Sequence, residues 1–275
     1  GTGDPRHSRG LPYAHHQDLE LLDDELVRWR DAGRVAELWW RDDDAVEETP
    51  ALDRLLTLQQ ESGVPLALAV VPARATAGLA GRLAAAPGVS ILQHGYGHVN
   101  HAFDGGKKCE LGPERPPMVV LGELATGTMA LERLFTAPAF AGRRLPVLVP
   151  PWNRIAPGLV PALPEIGFAG LSTYGPRQRP EPVRGLRQIN THVDLIDWKG
   201  GGGFVGENIA LALLIDALAA ARTRDATAVG VLSHHLVMGE ETWDFLRSLW
   251  EKISVKPGLR MSAAQELFAS REARV

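Results

Sequence analysis

The chain has 275 residues, a formal net charge of −4 and 23% charged residues, the balance of a globular protein able to bury a large core without cross-links. That charge, with no basic stripe interleaved with aromatics, gives no case for nucleic acid as a partner, and no apolar run reaches the length of a membrane span. The single cysteine, Cys109, excludes an internal disulfide and a thiolate metal site; it fits a reducing compartment, so a cytoplasmic location is expected.

Residues 1–13, rich in glycine, proline and charge, read as a loose arm. Leu19, Leu22, Leu26 and Trp29 recur at helical spacing and predict a helix over 15–31, ended by Gly33. Arm and helix (1–34) precede a main domain over 35–275. Its pattern predicts a strand over 35–40 that stops at Arg41, a helix over 51–61, a strand over 66–71, a helix over 77–86 and a strand over 89–92. A polar loop over 101–117 leads to a helix over 118–135 and a strand over 145–149. Then come a helix over 157–166, a strand over 168–171, an exposed loop over 175–185 and a strand over 188–193. The glycine run 200–203 reads as a hinge, since no Gly-Lys-Ser/Thr follows it to make a phosphate loop. A helix over 207–222, a strand over 227–233, a helix over 240–252, a short strand over 259–260 and a helix capped by Ser262 complete the chain. About seven strands alternating with helices predict an α/β fold, a parallel sheet built from βα units in a single barrel.

The polar residues gather at the C-terminal ends of these strands: Asp43 and Asp44, His94 and His98, Trp152 and Asn153, Asp194 and Asp197, His234 and His235. In an α/β barrel those ends share the face that carries the chemistry, so an enzyme is expected. His94 and His98 are four apart, and on a helical turn both imidazoles would meet one ion. A carboxylate from the run Asp42-Asp43-Asp44 completes a set of three ligands, which leaves positions open for water and substrate. A second carboxylate of that run would serve as general base, and His234 would protonate the leaving group from the opposite wall. The pattern leaves the register of the three aspartates open. His101 reads as a loop residue, Cys109 as inert, and Trp39 and Trp40 as core.

Asp43-Asp44, His94-Gly-Tyr-Gly-His98, Pro150-Pro151-Trp152, Asp194-x-x-Asp197-Trp198 and Leu232-Ser233-His234 occur in an order and spacing that resemble the five motifs of the polysaccharide deacetylases. That family is carbohydrate esterase family four, the NodB-homology group, and the resemblance covers residues 38–235. It implies a distorted (β/α)7, TIM-like barrel in a single domain. It implies a divalent metal, usually zinc, and metal-assisted removal of an acetyl group from an N- or O-acetylated sugar or glycan. Carried over by position, Asp43 is the catalytic base and Asp44, His94 and His98 are the metal ligands. His234 is the general acid, with Asp197 as the carboxylate that orients it. Trp152, Asn153, Asp197 and Trp198 border the sugar groove, and a backbone N–H near Trp152 steadies the oxyanion. The family places an arginine two residues before the second proline of the third motif, holding the catalytic aspartate. Val149 stands there in this chain, with Arg41 or Arg154 as substitutes; Ala45 stands where the family has glycine. Two other readings of the same residues are a glycosidase with paired carboxylates on a similar barrel and a catalytically dead glycan-binding protein.

Overall fold

The computed structural model describes residues 11–269 apart from 225 and 227. In chain order the elements are α1 (Leu11–Asp31), β1 (Ala36–Ala45), α2 (Pro50–Ser62), β2 (Leu66–Val70), α3 (Ala77–Ala84), β3 (Val89–Gln93), α4 (Pro117–Leu134), β4 (Arg144–Leu148), β5 (Gly170–Leu171) and β6 (Arg187–Gln188). They continue with β7 (Val193–Asp194), β8 (Ile196–Asp197), β9 (Gly203–Phe204), α5 (Glu207–Thr223), β10 (Ala228–Ser233), α6 (Glu240–Ile253), β11 (Leu259–Met261) and α7 (Ala264–Leu267). Local chemistry sets many of the ends. Thr49 Oγ1 accepts the Leu52 N–H at 3.0 Å to cap α2, Pro50 opens the helix, and Gly63 follows it at φ 68.

The main sheet is parallel throughout, in the order β6-β5-β4-β3-β2-β1-β10-β7, with β11 beside the start of β1. β6 and β7 come from one stretch of chain, which pairs first with β5 and a few residues later with β10. The sheet thus curls on itself into a distorted (β/α)7 barrel in one domain. The short antiparallel pair of β8 and β9 encloses the glycine run as an ordered turn. Among the described residues, no helix is long and apolar enough to cross a membrane.

Strand alternation sorts β1. Leu38 and Trp40 point outward into the large core between the sheet and the helices, while Trp39 joins Ala67, Ala69, Leu92, Val147 and Ile189 inside the barrel. Each indole finds a partner: Trp39 Nε1 donates to the Asn190 carbonyl at 3.1 Å and Trp40 Nε1 to Ser233 Oγ at 2.8 Å. α1 lies on α5, where Trp29 Nε1 donates to the Leu218 carbonyl at 3.2 Å and Arg222 Nε to the buried Glu25 at 2.6 Å.

The structure corrects several expected boundaries. α1 begins at Leu11, inside the expected arm, and residues 1–10 lie outside those described. β1 runs through the three aspartates to Ala45 instead of stopping at Arg41, because Arg41, Asp42 and Asp43 are buried and paired. The expected helix over 157–166 is two 3₁₀ turns, Pro157–Ala162 and Pro164–Ile166. Pro161 and Pro164 remove the N–H groups an α-helix there would need. Ser262 does not cap α7; its Oγ donates to Glu37 Oε2 at 3.1 Å.

Closure of the barrel half-buries His192, whose Nδ1 accepts the Gly230 N–H at 3.1 Å. Burial and the nearby Arg177 charge push the imidazole down to about 4. An acceptor nitrogen cannot also carry a proton, so the geometry asks for the same neutral form. The unfolded chain, with its histidine near 6.5, binds the proton more readily, so stability falls as pH drops from 6.5 towards 4. Between pH 7 and pH 4.5 this one group removes about 2 kcal/mol. Urea denaturation at both pH values measures it. His192→Asn, which keeps an acceptor but does not titrate, should reduce the difference by that amount.

Candidate active site

Three consecutive aspartates at the end of β1 go three ways. Asp42 faces outward with Trp40. Its carboxylate accepts from Ser233 Oγ at 2.6 Å and from the backbone N–H of His235 at 3.0 Å, and it pairs with the His235 ring at 2.5 Å. Burial disfavours the imidazolium of His235, but the Asp42 charge outweighs it and raises the ring. This ion pair is wholly beneath the surface.

Asp43 follows Arg41 on the inward side. Arg41 Nε and one Nη donate to the two Asp43 oxygens at 2.9 and 3.1 Å. The remaining guanidinium N–H groups go to Ser172 Oγ at 2.8 Å, the Thr173 carbonyl at 3.3 Å and Asn153 Oδ1 at 2.6 Å. Burial opposes the Asp43 carboxylate, yet the charges of Arg41, His94 and His234 hold it below its ordinary value. Arg41 is therefore the arginine that holds Asp43. Arg154 does not reach Asp43; it donates to the Lys108 carbonyl at 2.8 Å.

Asp44 would alternate outward again, but the strand shifts register between Asp42 and Ala45 and Asp44 takes φ 72. This left-handed step, tolerated by aspartate, returns its carboxylate to the barrel mouth. There Oδ1 lies 2.9 Å from His94 Nε2 and 3.1 Å from His98 Nε2. Burial pushes this carboxyl up, but the hydrogen bonds from His94 and His98 outweigh it and hold it well below the usual range.

The two histidines do not share a helical face. Gly95 at φ 60 and His98 at φ 57 turn the segment into a loop. Its anchor is Glu110, a residue that no spacing rule singles out. Its buried carboxylate accepts backbone N–H groups of Tyr96, Gly97 and Val99 at 2.9, 3.1 and 2.9 Å. Gly95 is required twice: a Cβ would need the left-handed conformation and would sit 2.2 Å from Glu110 Oε1 and 2.6 Å from Pro151 Cδ. His94 Nδ1 donates to the Val149 carbonyl at 2.8 Å, which presents Nε2 to Asp44. Glu110→Ala should release the three N–H groups that hold the loop and weaken metal affinity by about 10–100-fold. Calorimetric titration with zinc checks this.

Asp44, His94 and His98 form the one group of metal-ligating side chains found among the described residues, with one donor atom from each lying within 4.8 Å of the others. One carboxylate and two imidazoles, converging at the mouth and braced from behind, suit a divalent cation such as zinc with positions left open.

Trp152 and Asn153 both hold left-handed backbone, at φ 57 and 55, in the turn Pro151–Asn153. The turn places the Trp152 ring 4.3 Å from the His98 ring and Asn153 on Arg41. On the opposite wall, His234 Nε2 lies 3.9 Å from Asp43 Oδ2. The Trp198 ring, half exposed, stands edge-on to His234 at 4.9 Å. Asp197 is not brought to His234: it is exposed and accepts the Gly200 N–H at 2.9 Å within its own turn. Of these two carboxylates, Asp194 is the one whose charge couples to His234, as those of Asp43 and Asp44 also do. It accepts from Trp198 Nε1 at 3.0 Å and from the Ile196 N–H at 3.0 Å, and burial raises its carboxyl. His234 Nδ1 is buried without a hydrogen-bond partner.

No protein-family model and no curated protein sequence matches the chain. Solved structures do. A protein from Mycobacterium smegmatis assigned to the polysaccharide deacetylases is 18% identical, with a TM-score of 0.67 over 88% of this chain and 92% of that one. The family 4 carbohydrate esterase from Streptomyces lividans is 14% identical, with a TM-score of 0.53 over 84% and 94%. The peptidoglycan deacetylase PdaC from Bacillus subtilis is 13% identical, with a TM-score of 0.54 over 87% and 93%. The chain has the fold of the polysaccharide deacetylases and family 4 carbohydrate esterases.

Proposed function

We propose that this chain is a metal-dependent deacetylase that hydrolyses the acetyl group of an N- or O-acetylated sugar or glycan. The observation that carries the reading is the convergence of Asp44, His94 and His98 beside a second carboxylate, Asp43, that is held separately by Arg41. Asp44, His94 and His98 would hold the metal, most simply zinc. When bound, such an ion supplies a Lewis acid that makes water more acidic and polarises a carbonyl.

The side chains supply the rest. Asp43, kept ionised by Arg41, takes a proton from the attacking water. The backbone N–H of Trp152, in the turn beside His98, is the candidate donor to the oxyanion. His234, across from Asp43, gives a proton to the departing amine or alcohol, with Asp194 as the nearby countercharge. Trp152 and Trp198 border the groove as apolar surfaces for a sugar ring.

The test combines metal analysis with acetate release from N- and O-acetylated sugars. About one metal ion per chain, with acetate release abolished by chelation and restored by zinc, is the expected result. Metal-independent cleavage of the glycan chain without acetate release would instead support the paired-carboxylate glycosidase. Binding without turnover, metal present, would support a glycan-binding protein.

A further inference from the structure

Beside the candidate active site is a cavity of about 600 Å³, walled by Asn153, Thr173 and Asn190 on one side and by the loop that carries Arg177 and Arg179 on the other. Its charged lining residues are Arg154, Arg177 and Arg179, and no carboxylate lines it, although the chain as a whole carries a net charge of −4. Two of the guanidinium groups are braced by neutral acceptors: Arg154 donates to the Lys108 carbonyl at 2.8 Å and Arg177 to the Gln188 carbonyl. The wall is built. Buried Asn190 accepts the Thr173 N–H at 2.8 Å and donates to the Gly175 carbonyl at 2.8 Å.

The cavity shares Asn153 and Thr173 with the environment of Arg41, the residue that holds Asp43. A group seated in it would therefore belong to a molecule whose next portion lies near the candidate base. Its volume is in the range of small-ligand sites, roughly 300–1,000 Å³, enough for a sugar ring with a substituent. Three arginines and no carboxylate among the lining residues give the space a positive field that favours an anion. The arginine fork matches the planar oxygens of a carboxylate or phosphate.

We propose that this cavity is an accessory subsite that takes an anionic substituent, a carboxylate or phosphate, carried by the acetylated glycan substrate. The proposal deepens the deacetylase reading and rests on it. The zinc-loaded full chain should be assayed on matched acetylated oligosaccharides that are neutral, carry a uronic acid, or carry a phosphate monoester. An acidic substrate should be preferred in kcat/KM by about tenfold or more, the effect of one charge-assisted hydrogen bond. The Arg154→Ala/Arg179→Ala double variant should bring the acidic-to-neutral ratio close to one, and which acidic substrate leads identifies the anion. Arg179→Ala alone, at an exposed position, should lower the ratio without disturbing the Lys108 carbonyl contact, which guards against a misfolded double variant. Equal rates on all substrates, or a preference that survives the substitutions, would overturn the proposal. If no acetylated sugar is turned over, the deacetylase reading fails first, and the subsite is judged by calorimetric titration with glucuronate and with inorganic phosphate. Binding of either that weakens about tenfold in the double variant upholds the anion site; binding of neither overturns it.

Discussion

His94→Ala should yield a folded protein that no longer retains zinc and has lost acetate release by about three orders of magnitude or more, the equivalent of several kcal/mol of transition-state stabilisation. The reason is geometric. His94 Nε2 is one of the donor atoms converging with Asp44 and His98, and its ring is oriented by the Val149 carbonyl at 2.8 Å. Losing one of the three proposed ligands leaves a carboxylate and one imidazole, too few to hold a divalent ion at a site that keeps positions open. Because His94 is buried, the substitution also leaves a small void. Elemental analysis must therefore be paired with a thermal melt. The Asp44→Asn variant, which keeps side-chain volume, should lose the metal without the void. A metal-free variant with undiminished turnover would refute the proposed mechanism.

The second large effect separates metal binding from proton transfer. Asp43→Asn should keep the metal yet lose activity by about 10²–10⁴-fold, the span of a general base. Asp43 is next to a proposed ligand in sequence, but its two oxygens are taken by Arg41, not by the cluster. The substitution should also cost stability. Arg41 is fully buried, and removing the charge it pairs with leaves a guanidinium uncompensated, a change of about 3–5 kcal/mol. Metal content, steady-state kinetics and urea denaturation of the same sample separate the three consequences. Loss of metal in this variant would mean that Asp43 is a ligand. Full activity would mean that the proton goes elsewhere.

Both effects depend on three adjacent aspartates doing different work. An alternating strand can send Asp42 outward and Asp43 inward, and the periodicity of β1 contains that much. The positive φ of Asp44 is what turns a third carboxylate to the mouth. No pattern in the sequence announces it, because aspartate enters that conformation only where the surroundings hold it there. His234 and His235 are likewise separated by their partners. His235 is committed to Asp42 beneath the surface, which leaves His234 to face Asp43.

What the sequence determined by itself is local and periodic. Alternation and helical spacing placed most of the strands and helices, and the polar residues at the strand ends marked the face that holds the candidate site. The ordered motifs carried the proposed ligands Asp44, His94 and His98 and the resemblance that anticipated the barrel. What only the tertiary structure decided is which distant groups meet. Arg41 grips Asp43 and is itself fixed by bonds to Ser172 and Asn153, far along the chain. Glu110 holds the histidine loop through backbone N–H groups, which any residue in that loop would supply. Asp194, not Asp197, couples to His234, because the tight turn at Gly200 claims Asp197. These contacts join segments with no shared period, so no local pattern encodes them; closure of the sheet brings the partners together.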